Sequence, residues 1–163
     1  SIRPLPPGRS FEVGKELFRV TSCVACHRIN NEGQEYGPDL TKLDPKKQNP
    51  EYLLTSMLEP NKEIDPKFQT TVFQMESGKV ITGLIVEETS STVKVIINPL
   101  AKPDPTVLQK SEIEAQKTSP NSTMPKGLLN KLTQEEILDL LAYIYARGDK
   151  SHKLFETEGH HNH

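Results

Sequence analysis

The pentapeptide Cys23-Val24-Ala25-Cys26-His27 holds both cysteines of the chain, and its spacing decides what the rest of the sequence must accommodate. Two thiols three residues apart on a helical turn reach the two vinyl groups of one haem edge and form thioethers. The residue that follows, His27, is then placed beneath the iron as its proximal ligand, which is the reading of C-x-x-C-H as a c-type haem attachment site. A zinc ribbon would need a second Cys/His pair at matching spacing, and there is no third cysteine. The other histidines, His152, His160, His161 and His163, all lie at the C-terminal end. A thioredoxin-like dithiol would follow a strand in a βαβ unit. Here a helical pattern leads in instead, with Ser10 as N-cap and Phe11, Val13, Leu17, Phe18 and Val20 as its apolar residues. One covalently bound haem c is therefore expected.

Composition agrees. Of 163 residues, 34% are hydrophobic, none is Trp, and 13 are Pro, so the side-chain core is thin for the length and a covalent cofactor would add to it. The 20 Lys and Arg against 22 Asp and Glu give a net charge of −2, with no pull toward nucleic acid or an anionic membrane. The longest apolar run, Val80 to Val86, is far too short for a transmembrane segment. No apolar stretch of a signal peptide follows Ser1-Ile2-Arg3-Pro4, so a mature or excised form is expected. Residues 1–10, with Arg3-Pro4-Leu5-Pro6-Pro7-Gly8, read as a linker and favour a piece of a larger multidomain chain. Lys42, Lys46 and Lys47 read as a solvated loop, and the Asn121-Ser122-Thr123 sequon as coincidence. No Ser/His/Asp constellation or phosphate-cradling loop is present, so no enzyme activity is expected.

A haem held by one histidine leaves its other face open to gas, whereas a methionine there closes it and raises the potential. Three methionines compete. Met57 lies in the helical pattern Glu51 to Leu58 and Met75 in a strand-like run, both suited to packing. Met124 stands in a Pro/Ser-rich loop, residues 119–127, whose lack of periodicity gives it no place in a core. Beyond it, Thr133 to Glu136 is a capping box that opens a helix carrying Ile137, Leu138, Leu140, Leu141 and Ile144, stopped by Arg147 and Gly148.

Met124 follows His27 by 97 positions, a long interval whose excess is localised. Residues 68–77, 79–88 and 92–98 alternate and are rich in Val, Ile and Thr, as half-buried antiparallel strands are, and 106–110 and 113–117 add two short ones. Setting this stretch and the ends aside leaves the length of a compact haem domain of three or four helices. The expected fold class is mainly α: a haem-binding helical fold interrupted by an inserted antiparallel β meander or small barrel. The domain plan is a linker at 1–10, a haem domain at 11–147 with the β subdomain at 68–117, and a tail at 148–163.

Gly14 with Leu17-Phe18, Cys23-x-x-Cys26-His27 and Gly37-Pro38-Asp39-Leu40 together resemble the first half of a class I cytochrome c. The fuller order also runs through Leu58-Glu59-Pro60-Asn61-Lys62-Glu63-Ile64, strands with Ser77-Gly78 and Gly83, Met124-Pro125-x-Gly127-Leu128 and the Leu132 to Ile144 helix. It resembles the haem-binding cytochrome c domain of planctomycetes and verrucomicrobia. That resemblance implies that the Pro38 carbonyl accepts a hydrogen bond from His27 Nδ1, that Leu40 beside it borders the cofactor, and that Met124 is the distal ligand. It also implies a helix crossing in which Tyr143 meets Gly14 and Phe18. The implied function is single-electron transfer between a redox donor and acceptor of unknown identity, in the periplasm or another extracytoplasmic space, since haem is attached after export. A haem-based gas sensor, or a docking module of a larger redox enzyme, are the alternative readings.

Overall fold

The helix that leads into the cysteines, α1 (Phe11–Val20), starts where the sequence places its cap: Ser10 Oγ accepts a 3.2 Å hydrogen bond from Val13 N. Its buried stripe is Gly14, Leu17 and Phe18, at the spacing of three and four residues that one helix face requires. Val13 and Val20 fall outside that stripe and stay exposed. The computed structural model describes residues 5–101 and 104–156. Residues 1–4 of the expected linker, Pro103, and His160, His161 and His163 of the expected tail lie outside the described residues. The chain divides into two units, one of residues up to Glu59 together with those from Lys126 on, the other Pro60–Pro125.

In the first unit, α3 (Gln134–Tyr145) begins with a complete capping box. Thr133 Oγ1 accepts from Glu136 N at 3.2 Å, and Glu136 Oε1 from Thr133 N at 2.9 Å. Leu140 to Ile144 are all buried, and α3 meets α1 at Gly14. A Cβ on Gly14 would lie 2.8 Å from Tyr143 Cβ and closer still to the Asp139 carbonyl, so only glycine lets the backbones approach this far. The Tyr143 ring sits 5.6 Å from Phe18 and 5.5 Å from Phe11, centroid to centroid, in the tilted and edge-on geometries aromatic pairs favour. The helix stops as its sequence signals: Arg147 and Gly148 are both left-handed (φ 55° and 74°), and Gly148 N donates to Tyr143 O at 3.0 Å. Between them, α2 (Pro50–Leu58) is capped by Asn49 and buries Leu53 and Met57.

The second unit is a five-stranded antiparallel sheet made of β3 (Thr71–Met75), β4 (Val80–Glu88), β5 (Thr92–Ile96), β6 (Thr106–Gln109) and β7 (Ile113–Thr118). Their spatial order is β6-β5-β4-β3-β7. Strands β6 and β7 are consecutive in the chain yet lie at opposite edges, joined only by the 3-10 turn Lys110–Glu112. In a flat sheet those edges would stand about 19 Å apart, against a reach of at most about 14 Å for so short a link. The sheet therefore curls into an open barrel. Lys110 N to Ser91 O and Glu76 N to Glu112 O, both 2.8 Å, pin the turn across its end. Phe73, Met75, Val93, Val95 and Leu108 fill the inside, with Ile81, Ile85 and Ile113 packed against them.

The expectation of a mainly α fold is wrong. Helices, 3-10 turns included, make up 33% of the described residues and strands 23%, and among those residues there are only three α-helices beside two sheets. The physical reason lies in the lengths: α1, α2 and α3 hold only 10, 9 and 12 residues, and the connections between elements are short 3-10 turns, three of them capped by the side chains of Asp39, Asp44 and Asp65.

Gly14→Ala is expected to destabilise the protein by about 1–3 kcal/mol, the usual cost of overpacking. Thermal unfolding measures it, and an unchanged midpoint would contradict the close crossing.

Candidate functional site

α1 delivers the chain into a tight turn. Thr21 closes the helix, Ser22 adopts a left-handed conformation (φ 68°), and Cys23–Ala25 form one 3-10 turn in which Cys26 N and His27 N both donate to Cys23 O, at 3.1 and 2.9 Å. With three residues per turn, side chains at i and i+3 eclipse, which sets Cys23 and Cys26 on one side. Both thiols are free, Cys23 buried and Cys26 half-buried. Thr21 Oγ1 donates to Leu17 O at 2.5 Å and stands 3.3 Å from Cys23 Sγ; with its own hydrogen committed, it accepts from the thiol. Burial pushes the Cys23 thiol up despite that contact. Burial and then the neighbouring Cys23 push Cys26 up to about 11. Both are therefore neutral thiols at physiological pH, unlike the thiolates of a redox or zinc pair.

The segment after His27, expected as a polar loop, is a small hairpin. β1 (Arg28–Ile29) pairs with β2 (Glu32–Gly33) through Asn30 and Asn31, both left-handed (φ 50° and 66°). Gly33 (φ 105°) is needed there, because a Cβ would run into the His27 carbonyl. Gln34 N donates to Val24 O at 3.2 Å and Gly37 N to Cys26 O at 2.8 Å, which folds the segment back over the cysteine turn. Gly37 lies flat against the imidazole: a Cβ would stand 2.8 Å from His27 Cε1 and 3.0 Å from Nδ1. The next residue, Pro38, presents its carbonyl 2.9 Å from His27 Nδ1. As Nδ1 must donate to a carbonyl, Nε2 is left as the ring's lone-pair nitrogen. Burial holds the His27 imidazolium below the ordinary histidine range, opposed by the Pro38 bond, so the ring is neutral and able to ligate. Asp39 caps the following turn and Leu40 is buried.

Cys23, Cys26, His27, Pro38 and Leu40 thus belong to one turn, hairpin and loop of the first unit, whereas Met124 belongs to the second. Met57 and Met75 are each only 6% exposed, buried in α2 and in the barrel core, while Met124 is half-buried in its loop. Thr21 and Gly33 were not foreseen. The signal for Gly33 was present in Asn30-Asn31, two residue types that tolerate a left-handed turn, but both are polar and read as ordinary loop.

A family model described as cytochrome c matches residues 11–94, from the first residue of α1 into β5 and over half of the chain. The chain belongs to the cytochrome c family. No curated protein matches it. It is therefore a haem-binding electron-transfer cytochrome of a family that binds haem c covalently and is typically extracytoplasmic. The residues present fit that group: two free thiols on one side of a single turn, and an adjacent neutral imidazole with its far nitrogen held in reserve. No helix among the described residues is long and apolar enough to cross a membrane.

Gly37→Ala is expected to drive the ring off the Pro38 carbonyl and to destabilise the haem-loaded protein by about 1–3 kcal/mol. A lowered unfolding midpoint checks this, and an unperturbed one would mean the imidazole does not rest on Gly37.

Proposed function

We propose that this chain is a monohaem electron carrier in which Cys23 and Cys26 form the thioethers, His27 Nε2 is the proximal ligand and the Met124 sulfur the distal one. The observation that carries this reading is the 2.9 Å contact of His27 Nδ1 with Pro38 O directly behind the paired thiols. It fixes the tautomer and the ring plane and raises the basicity of Nε2, the contributions an outer partner makes to a metal-ligating histidine. One C-x-x-C-H supports one cofactor. The burial of Met57 and Met75 supports Met124, whose thioether no core consumes. When bound, the haem supplies the one-electron couple. Cys23 and Cys26 anchor it against loss, Gly37 and Pro38 hold the ring of His27, and Leu40 adds apolar surface beside them.

The finer family assignment is the planctomycete and verrucomicrobial haem-binding domain, with residues 11–147 as the cytochrome unit and 68–117 as an inserted β subdomain. The strands between Thr71 and Thr118 and the return of the chain to the first unit at Lys126 support that plan. The protein works outside the cytoplasm, exchanging single electrons with a donor and an acceptor protein, as a carrier rather than a catalyst.

The test is spectroscopic. The ferric protein is expected to show the near-infrared charge-transfer band of methionine-ligated iron, and Met124→Ala to abolish it and lower the potential. Persistence of the band would remove Met124 from the iron. Fast carbon monoxide binding by untreated ferrous protein would favour a sensor.

Acidification gives a second check. Because burial disfavours the charged ring, the folded form takes up a proton at His27 only below the ordinary value of about 6.5. Protons then compete weakly for Nε2, so the low-spin spectrum is expected to persist as pH falls through that value. A transition to high spin centred there would contradict His27 as the iron's ligand.

A further inference from the structure

The loop that carries Met124 has no helix or strand to hold it, yet its backbone is fastened nearly residue by residue within the β unit. Ser119 N donates to Thr70 O at 2.8 Å, and Thr70 Oγ1 donates to Asn121 O at 2.8 Å. Thr70 and Ser119 are each only 3% exposed. Asn121 N donates to Ser119 Oγ at 3.1 Å. The remaining clasp comes from Asn61, sixty positions upstream. Its Oδ1 accepts from Ser122 N at 2.7 Å, and its Nδ2 donates to Asn121 Oδ1 at 3.3 Å. The Ser122 N–H settles the amide's orientation, since the flipped form would set donor against donor. Ser122 Oγ in turn accepts from Met124 N at 3.1 Å. A continuous chain therefore runs from Asn61 through both polar groups of Ser122 to the backbone of Met124.

We propose that Asn61 is a positioning residue for the distal ligand: it holds the Ser122–Met124 backbone so that the thioether is presented in one place instead of sampled among many. This rests on the reading of Met124 as the iron's sixth ligand. Asn61 makes its contacts to Asn121 and Ser122, and its effect passes to Met124 through Ser122. A ligand whose competent position is only partly populated binds more weakly in proportion to that population. Loosening the clasp should therefore favour any exogenous ligand that competes for the same position.

Imidazole titration of the ferric, haem-loaded protein, followed by the loss of the near-infrared band, reads this directly. Asn61→Ala is expected to raise imidazole affinity about tenfold, the effect of losing one half-buried hydrogen bond to the loop. Asn61→Asp keeps the acceptor for Ser122 N and is expected to stay within about twofold of the wild type. Ser122→Ala breaks the same chain one step nearer Met124 and should move in the direction of Asn61→Ala. It carries the test if that variant fails to accumulate in loaded form. Wild-type imidazole affinity in Asn61→Ala or in Ser122→Ala, or an Asn61→Asp variant as weakened as Asn61→Ala, overturns the proposal. Met124→Ala separates the two readings. If it retains the band, the ligand assignment and the proposal fall together. If it loses the band while Asn61→Ala titrates like the wild type, only the role of Asn61 is lost.

Discussion

The hydrogen bond between His27 Nδ1 and the Pro38 carbonyl sets the conditions that the surrounding chain has to meet. To bring a carbonyl eleven residues downstream back to the ring, the chain must reverse within a few residues of the cysteine turn, and it does so through Asn30 and Asn31 in left-handed conformations. The reversal brings residue 33 against the His27 carbonyl and residue 37 against the ring, so neither position has room for a side chain. A proline at 38 has no N–H to compete for the ring and keeps the carbonyl's approach narrow. What looks like a loop of miscellaneous polar residues is a set of requirements imposed by one imidazole.

That local arrangement is braced by the helix pair at the chain's two ends. Asn30 Nδ2 donates to Gly148 O at 2.9 Å, tying the hairpin to the end of α3. Arg147, beside it, donates to Leu43 O at 3.2 Å, tying α3 to the segment that follows Leu40. The position of α3 is fixed in turn by the Gly14–Tyr143 contact with α1, the helix that leads directly into Cys23. At the start of α1, Ser10 N donates to Asp139 at 3.0 Å, and Arg9 pairs with Glu135 at 2.8 Å. The first and last helices thus fix the cysteine turn and the hairpin from both sides.

Features written in adjacent residues were legible from sequence. The Ser10 cap, the Thr133–Glu136 capping box and the Val-, Ile- and Thr-rich runs of the five longer strands each depend on side chains within a few positions of the backbone they control. The attachment pentapeptide is local as well, and the family match supports the class of protein it announced. The balance of fold class was not legible, because where a helix stops depends on contacts beyond its own residues: the three helices end after 10, 9 and 12 positions, and Asp-capped turns carry the chain onward. The Asn30-Asn31 hairpin went unread because its strands are two residues each, too short for any periodicity. Asn61 stands in the Leu58–Ile64 run of the resemblance, but nothing in that run pointed to its contacts, since its partners lie about sixty residues away and share no pattern with it.

The contact between Asn61 and Ser122 also bears on how the chain tolerates its own interruption. Residues 60–125 separate the two sequence halves of the first unit. Closing a flexible excursion of that length costs roughly 2–3 kcal/mol more entropy than closing one of a few residues. Here the excursion begins and ends within one hydrogen bond of itself, and the curled sheet between is ordered by its own core. Once that sheet has formed, the halves of the first unit are joined by what is entropically a short loop. Changes in the length or sequence of the intervening strands can then accumulate with little effect on how readily the two end helices find each other.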